Sequence, residues 1–221
     1  MIRPFLLGIL LISSFAVYAN QLHFLPKDML LWEQKAFGSE TDYRIEQESV
    51  FAHSEGGASG LFNESHIDLT ETPILTWHWK PAKFPQVKDE RLKEGDDFAL
   101  RVYVVAKTGF GPWGTKAISY VWSQTHRVGE NWPNPFAGER VVMLALRDSN
   151  SPLAWQKETR NIAADFERFF DEPVTKIHAV AIMTDGDNSA SVAAGYYGEL
   201  LFTAETLDLS LSADGLVKNE E

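Results

Sequence analysis

The chain contains no cysteine. That absence removes disulfides, thiol nucleophiles, redox dithiols and thiolate zinc sites together. Clusters of Lys and Arg are missing too: 20 basic residues stand against 31 acidic ones, for a formal net charge of −11 at pH 7. A surface of that sign repels phosphate backbones and anionic headgroups, so no nucleic acid is expected as a partner. The six histidines are scattered, with no paired spacing that would suit a metal. Hydrolase signatures are absent as well. Gly57-Ala58-Ser59-Gly60 lacks the fifth residue of a nucleophile elbow, because Leu61 stands where Gly is needed.

What the chain does have begins with its first residues. Arg3, the apolar stretch Phe5 to Val17 and the small-residue site Val17-Tyr18-Ala19 before Asn20 make residues 1–19 an expected secretory signal peptide. The stretch is shorter than the ~20 residues of a spanning helix, so no membrane insertion is expected after cleavage. Residues 20–205 then form one domain and residues 206–221 an acidic tail, in a periplasmic or secreted protein. With Arg3 gone, 19 basic residues face 31 acidic ones, a net −12. Hydrophobic residues at 44% and aromatics at 12% supply a sizeable core without disulfides.

Short runs of β-type residues separated by Gly, Pro, Asn and Asp dominate. Ile74 to Lys80, Asp97 to Lys107, Ala117 to Ser123, Arg140 to Arg147, Lys176 to Thr184 and Tyr196 to Thr203 read as strands. Trp32 to Phe37, Tyr43 to Glu46, Val50 to Ser54 and Ser59 to Phe62 are weaker candidates. In the clearest run, Phe98, Leu100, Val102, Val104 and Ala106 share one apolar face. Many short strands with little helix predict a β-sandwich or barrel. One helix is predicted from Ile162, Phe166, Phe169 and Phe170, capped by Asn161 and stopped by Pro173.

Four constellations hold the chemistry-bearing residues. Gly109-Phe110-Gly111-Pro112-Trp113-Gly114 spells the dinucleotide pattern, but a strand-like run follows where a helix is required, so it reads as a hairpin loop. Thr184-Asp185-Gly186-Asp187-Asn188 packs oxygen ligands into a turn. Calcium at Asp185, Asp187 and Asn188 is the alternative there to a turn whose side chains satisfy backbone amides. No other cofactor is expected. Asp96, Asp97 and Arg101 form the third group, and Trp155, Glu158, Arg160 and Asp165, where a strand leads into the helix, form the fourth.

Several blocks together resemble a bacterial family known as domain of unknown function 3047. They include Leu75-Thr76-Trp77-His78-Trp79-Lys80, Asp96 through Tyr103, Ile118 through Ser123, Glu158-Thr159-Arg160-Asn161, Ala181 through Asn188, and Tyr197-Gly198-Glu199-Leu200-Leu201-Phe202. The resemblance implies a galactose-binding-like jelly roll, the sandwich of many carbohydrate-binding modules, and carries no catalytic role across.

These readings combine into one expectation: a single exported all-β jelly-roll sandwich with one short helix. It binds a glycan or another envelope component and has no catalysis of its own. Asp97, Arg101, Arg160 and Asp185 are expected to converge on one groove, joined by Glu158 and Asp187, with Trp122 or Trp155 as a stacking platform. Two rival expectations stand beside it. One is a glycan hydrolase or lyase using Asp97, Glu158 or Asp185 as acid and base, the other an envelope scaffold.

Overall fold

A computed structural model describes residues 21–109 and 114–204. The expected leader at 1–19, Phe110 to Trp113 of the glycine run and the acidic tail at 206–221 fall outside them. In chain order the elements open with β1 (Gln21–Phe24), α1 (Pro26–Met29), β2 (Glu33–Ala36), β3 (Asp42–Glu46), β4 (Ser49–Glu55), β5 (Ala58–Asn63), β6 (Ile67–Asp68) and β7 (Ile74–Lys83). They continue with β8 (Arg101–Lys107), β9 (Thr115–Trp122), β10 (Asn131–Asn134), β11 (Gly138–Arg147), β12 (Gln156–Asn161), α2 (Ile162–Phe170), β13 (Lys176–Ile177), β14 (Ala179–Asp185) and β15 (Val192–Thr203).

Two sheets face each other. One runs β12-β7-β15-β4-β3 with β1 beside the second half of β15, and the other runs β10-β11-β9-β8-β14-β5-β2. Eight strands, β4, β5, β7, β8, β9, β12, β14 and β15, can be numbered one to eight in chain order. The first sheet then reads one-eight-three-six and the second two-seven-four-five. That order is the double Greek key of a jelly roll, so the topology itself fixes the fold. Only the β9–β11 pairing is parallel among the described strand pairs of the two sheets.

Alternation along the strands explains the core. In β7, Leu75, Trp77 and Trp79 are buried inward; in β8, Val102, Val104 and Ala106; in β9, Ile118, Tyr120 and Trp122. Rings bridge the sheets: Trp77 lies 5.4 Å from Tyr120 and Trp79 lies 6.1 Å from Trp122. Packing of large aromatics supplies cohesion that disulfides do not. α2 covers one open end through Ile162 and Phe166, capped by the Asn161 side chain, which accepts from the Ala164 N–H at 3.0 Å.

Three sequence expectations need correction. β8 starts at Arg101 rather than Asp97, because Phe98 is diverted: its N–H donates to Asp185 Oδ1 at 3.0 Å and its carbonyl accepts from the Asp185 N–H at 3.1 Å. Phe98 therefore packs with Val121, Trp132, Met143 and Ala145 on the far side of the seven-stranded sheet, away from Leu100 and Val102. The run Lys176 to Thr184 breaks at His178, whose N–H donates to the Val105 carbonyl at 2.7 Å. A second helix, the single turn α1, joins the predicted one.

Candidate functional site

The acid–base set divides into three groups. In the first, at one end of the seven-stranded sheet, Arg101 is 2% exposed and donates from Nε to Asp185 Oδ1 at 3.1 Å and from Nη2 to Asp185 Oδ2. It also reaches Asp96 Oδ1 at 3.3 Å and the Tyr103 hydroxyl at 3.0 Å, with its guanidinium 4.4 Å from the Phe98 ring centre. Asn134 donates to the other Asp96 oxygen at 2.9 Å. Burial pushes Asp185 well above the ordinary carboxylate range, and repulsion from Asp96 and Asp97 adds to it, with Arg101 opposing. Burial raises Asp96 in the same way.

Asp97 serves the neighbouring turn. Its Oδ1 accepts from the Asn188 N–H at 3.2 Å and its Oδ2 from the Ser189 N–H at 2.6 Å. The amides of Asn188 and Ser189 are thus satisfied from Asp97, 91 residues earlier in the chain for Asn188, rather than from Asp185 or Asp187. Asp97, Asp185 and Asp187 each offer an oxygen within 4.8 Å of the others, so Asp97 joins Asp185 and Asp187 of the turn. Asn188 lies beside them, donating from its amide to Asp97 Oδ1 at 3.1 Å and to Asp187 Oδ1 at 3.2 Å. A cation there would compete with Arg101 for Asp185 and with Ser189 for Asp97. Partial burial and the Asp97 charge raise Asp187.

The other predicted polar residues lie elsewhere. Glu158 turns inward and accepts from Trp79 Nε1 at 2.9 Å and Arg147 Nε at 2.6 Å. Arg160 joins Asp165, donating from Nε at 2.8 Å, and Asp165 also accepts from the Tyr120 hydroxyl at 2.7 Å. The expected convergence of Arg160 with Arg101 and Asp185 on one groove does not occur, because β12 lies in the opposite sheet from β8 and β14. Nor can Trp122 be a stacking platform, since it has no exposed surface and belongs to the core. Its indole N–H is satisfied by the Asp148 carbonyl at 3.2 Å.

Trp155 is different. It is 43% exposed and heads a row of side chains across the outer face of the six-stranded sheet. The registers pair Arg44 with Phe51, Phe51 with Tyr196, and Tyr196 with Lys80. Gln156 opposite Trp79 then brings Trp155 beside Lys80. The row crosses five strand positions, about 19 Å at ~4.8 Å per step. Tyr196 lies 4.7 Å from Phe51 and 6.2 Å from Trp155, ring centre to ring centre, and His53 stacks on Phe51 at 6.1 Å. Lys80 Nζ sits 4.3 Å from the Tyr196 ring and 5.5 Å from Trp155, while the Arg44 guanidinium lies 4.5 Å from Phe51. Gly198 makes room, since a Cβ there would stand 3.1 Å from His78 Cβ and 3.7 Å from the Trp155 ring.

Only Trp155 of this row was singled out from sequence. A signal for the rest was present: Val50, Ala52 and Ser54 bury inward, which leaves Phe51 and His53 pointing outward. Beyond the row, a cavity of about 510 Å³ opens between α2 and the β10–β11 edge, among Phe169, Phe170, Val142, Lys116 and Arg140. Lys116 in it is already paired with Glu172 at 2.7 Å.

No curated relative matches the chain. Among solved structures, a low affinity xylan binding module from Roseburia intestinalis is 12% identical at a TM-score of 0.34, covering 83% of this chain and 94% of that one. A family 29 carbohydrate binding module from Piromyces equi is 11% identical at 0.35, covering 86% and 94%. A thermo-stable cellulase derived from Cel12A of Rhodothermus marinus is 9% identical at 0.43, covering 83% and 100%. At these TM-scores no ligand or activity is transferred from them. Residues 31–201 match the family described as "Protein of unknown function (DUF3047)", and the chain belongs to that family.

Proposed function

We propose that the protein is an exported glycan-binding module without catalytic activity of its own, and that its ligand lies along the Trp155–Tyr196–Phe51 row. One observation carries the reading: an exposed ring, Trp155, and two partly buried ones, Tyr196 and Phe51, aligned across a sheet face and flanked by hydrogen-bonding side chains. Sugar rings present flat C–H faces edged by hydroxyls. Aromatic side chains with an apolar body, bordered by polar groups, complement that surface. A sheet holds such rings at fixed spacing, so little side-chain freedom is lost on binding. The secretory pattern expected at residues 1–19 is consistent with delivery to the periplasm or beyond.

Affinity electrophoresis through gels containing polysaccharides tests the reading. The wild type should be retarded by at least one polymer, and Trp155→Ala or Tyr196→Ala should abolish retardation with little change in melting temperature. Retardation that survives both substitutions would remove the row from the binding site. Absence of retardation by any polysaccharide would count against glycan binding altogether.

A further inference from the structure

We propose that the glycan recognised by this row is acidic, bearing carboxylates that Lys80 and Lys157 bind beside Trp155; the inference rests on the glycan reading above. The protein is acidic overall, yet the two ends of the row differ in charge. At the Phe51 end, Arg44 is neutralised by Asp42 and by Glu46 at 3.3 Å, and Glu46 also accepts from the Tyr196 hydroxyl at 3.3 Å. At the Trp155 end, Lys80 is half-buried against two rings, and Lys157 is exposed on the same face, paired in register with His78 two residues before Lys80.

Among the described residues, neither Lys80 nor Lys157 is joined to a carboxylate. The acidic side chains nearest in the strands are committed elsewhere. Glu158 is turned into the core against Trp79 and Arg147, and Glu199 pairs with His23 at 2.7 Å. Two ammonium groups without carboxylate partners therefore border the most exposed ring of the row, in a chain where acidic residues outnumber basic ones by eleven.

A neutral saccharide would offer both ammonium groups only hydroxyl oxygens as acceptors. A uronic-acid unit stacked on Trp155 would place its carboxylate within reach of them, where charge-assisted hydrogen bonds are stronger than neutral ones. The net negative charge of the molecule does not oppose this at short range, because exposed charges are screened beyond about 8 Å at physiological ionic strength.

Isothermal titration with oligogalacturonate and with uncharged xylo-oligosaccharide, at low and raised salt, separates the alternatives. The expected result is binding of oligogalacturonate that weakens with salt and falls by about tenfold or more in the K80Q/K157Q double variant, equivalent to roughly 1.4 kcal/mol. The double variant should keep its melting temperature and W155A should lose binding outright. Binding of the neutral oligosaccharide at equal strength, unchanged in K80Q/K157Q, would overturn the acidic preference while leaving the glycan reading in place. Failure of oligogalacturonate to bind while a neutral polymer retards the protein would likewise overturn the acidic preference alone. Only failure of both ligands together with every polysaccharide in the gels would overturn both.

Discussion

Replacing Arg101 by Met keeps most of the side-chain volume and deletes the charge that faces Asp185 and Asp96. Both carboxylates are buried, at 2% and 4% exposure, so the variant would strand two acids in the interior. Breaking such a pair from one side costs about 3–5 kcal/mol, or roughly 6–20 °C in melting temperature for a domain of this size. The deficit should also depend on pH. Burial already holds Asp185 and Asp96 above their usual range, and without Arg101 both would rise further. A carboxyl whose folded pKa lies above its unfolded value loses stability as pH rises through that window. The loss in Arg101→Met should therefore be greatest near neutrality and shrink in acid. Asp185→Asn added to Arg101→Met should restore part of it. Differential scanning calorimetry from acid to neutral pH reads all three. A melting point within about 2 °C of wild type, far below the shift expected for a broken buried pair, together with no pH dependence, would show that Arg101 holds no buried network.

Three other substitutions follow from the same geometry. Asn161→Ala removes the cap that accepts from Ala164 and should cost about 1 kcal/mol by chemical denaturation, with no cost if α2 is held by packing alone. Gly186→Ala would place a Cβ 2.1 Å from the Ser191 carbonyl oxygen, so destabilisation of about 1–3 kcal/mol is expected, and a neutral outcome would mean that the turn is open. Asp187→Asn relieves repulsion from Asp97. Because Asp187 is raised when folded, the gain in melting temperature should exist at neutral pH and vanish below the usual carboxylate range. A loss instead, accompanied by calcium-dependent melting of the wild type, would show that the three carboxylates hold a cation.

Much of the sandwich was legible because burial writes itself as alternation. Val102, Val104 and Ala106, or Leu75, Trp77 and Trp79, declare an inward face without knowledge of any partner strand. Strands lacking that mark were harder. β1 and the two-residue β6 are too short to show a period, and β10 contains Pro133. The site was less legible, since its contacts are set by topology. Arg101 could not be matched to Asp185, 84 residues away, until β14 was laid beside β8. Trp122 and Trp155 look alike as letters; one falls at an inward position of a central strand, the other just ahead of the edge strand β12. The row itself needed the registers of four strand pairs, which no local pattern contains.

Chemical-shift mapping of the labelled protein during titration with oligogalacturonate tests the central claim most directly. The account expects perturbations concentrated on Trp155, Lys80, Tyr196 and Phe51, with amides around Arg101 and Tyr103 on the opposite sheet unmoved. Perturbations centred instead on Arg101 and Tyr103, or on Phe169 and Phe170 beside the α2 cavity, would contradict it.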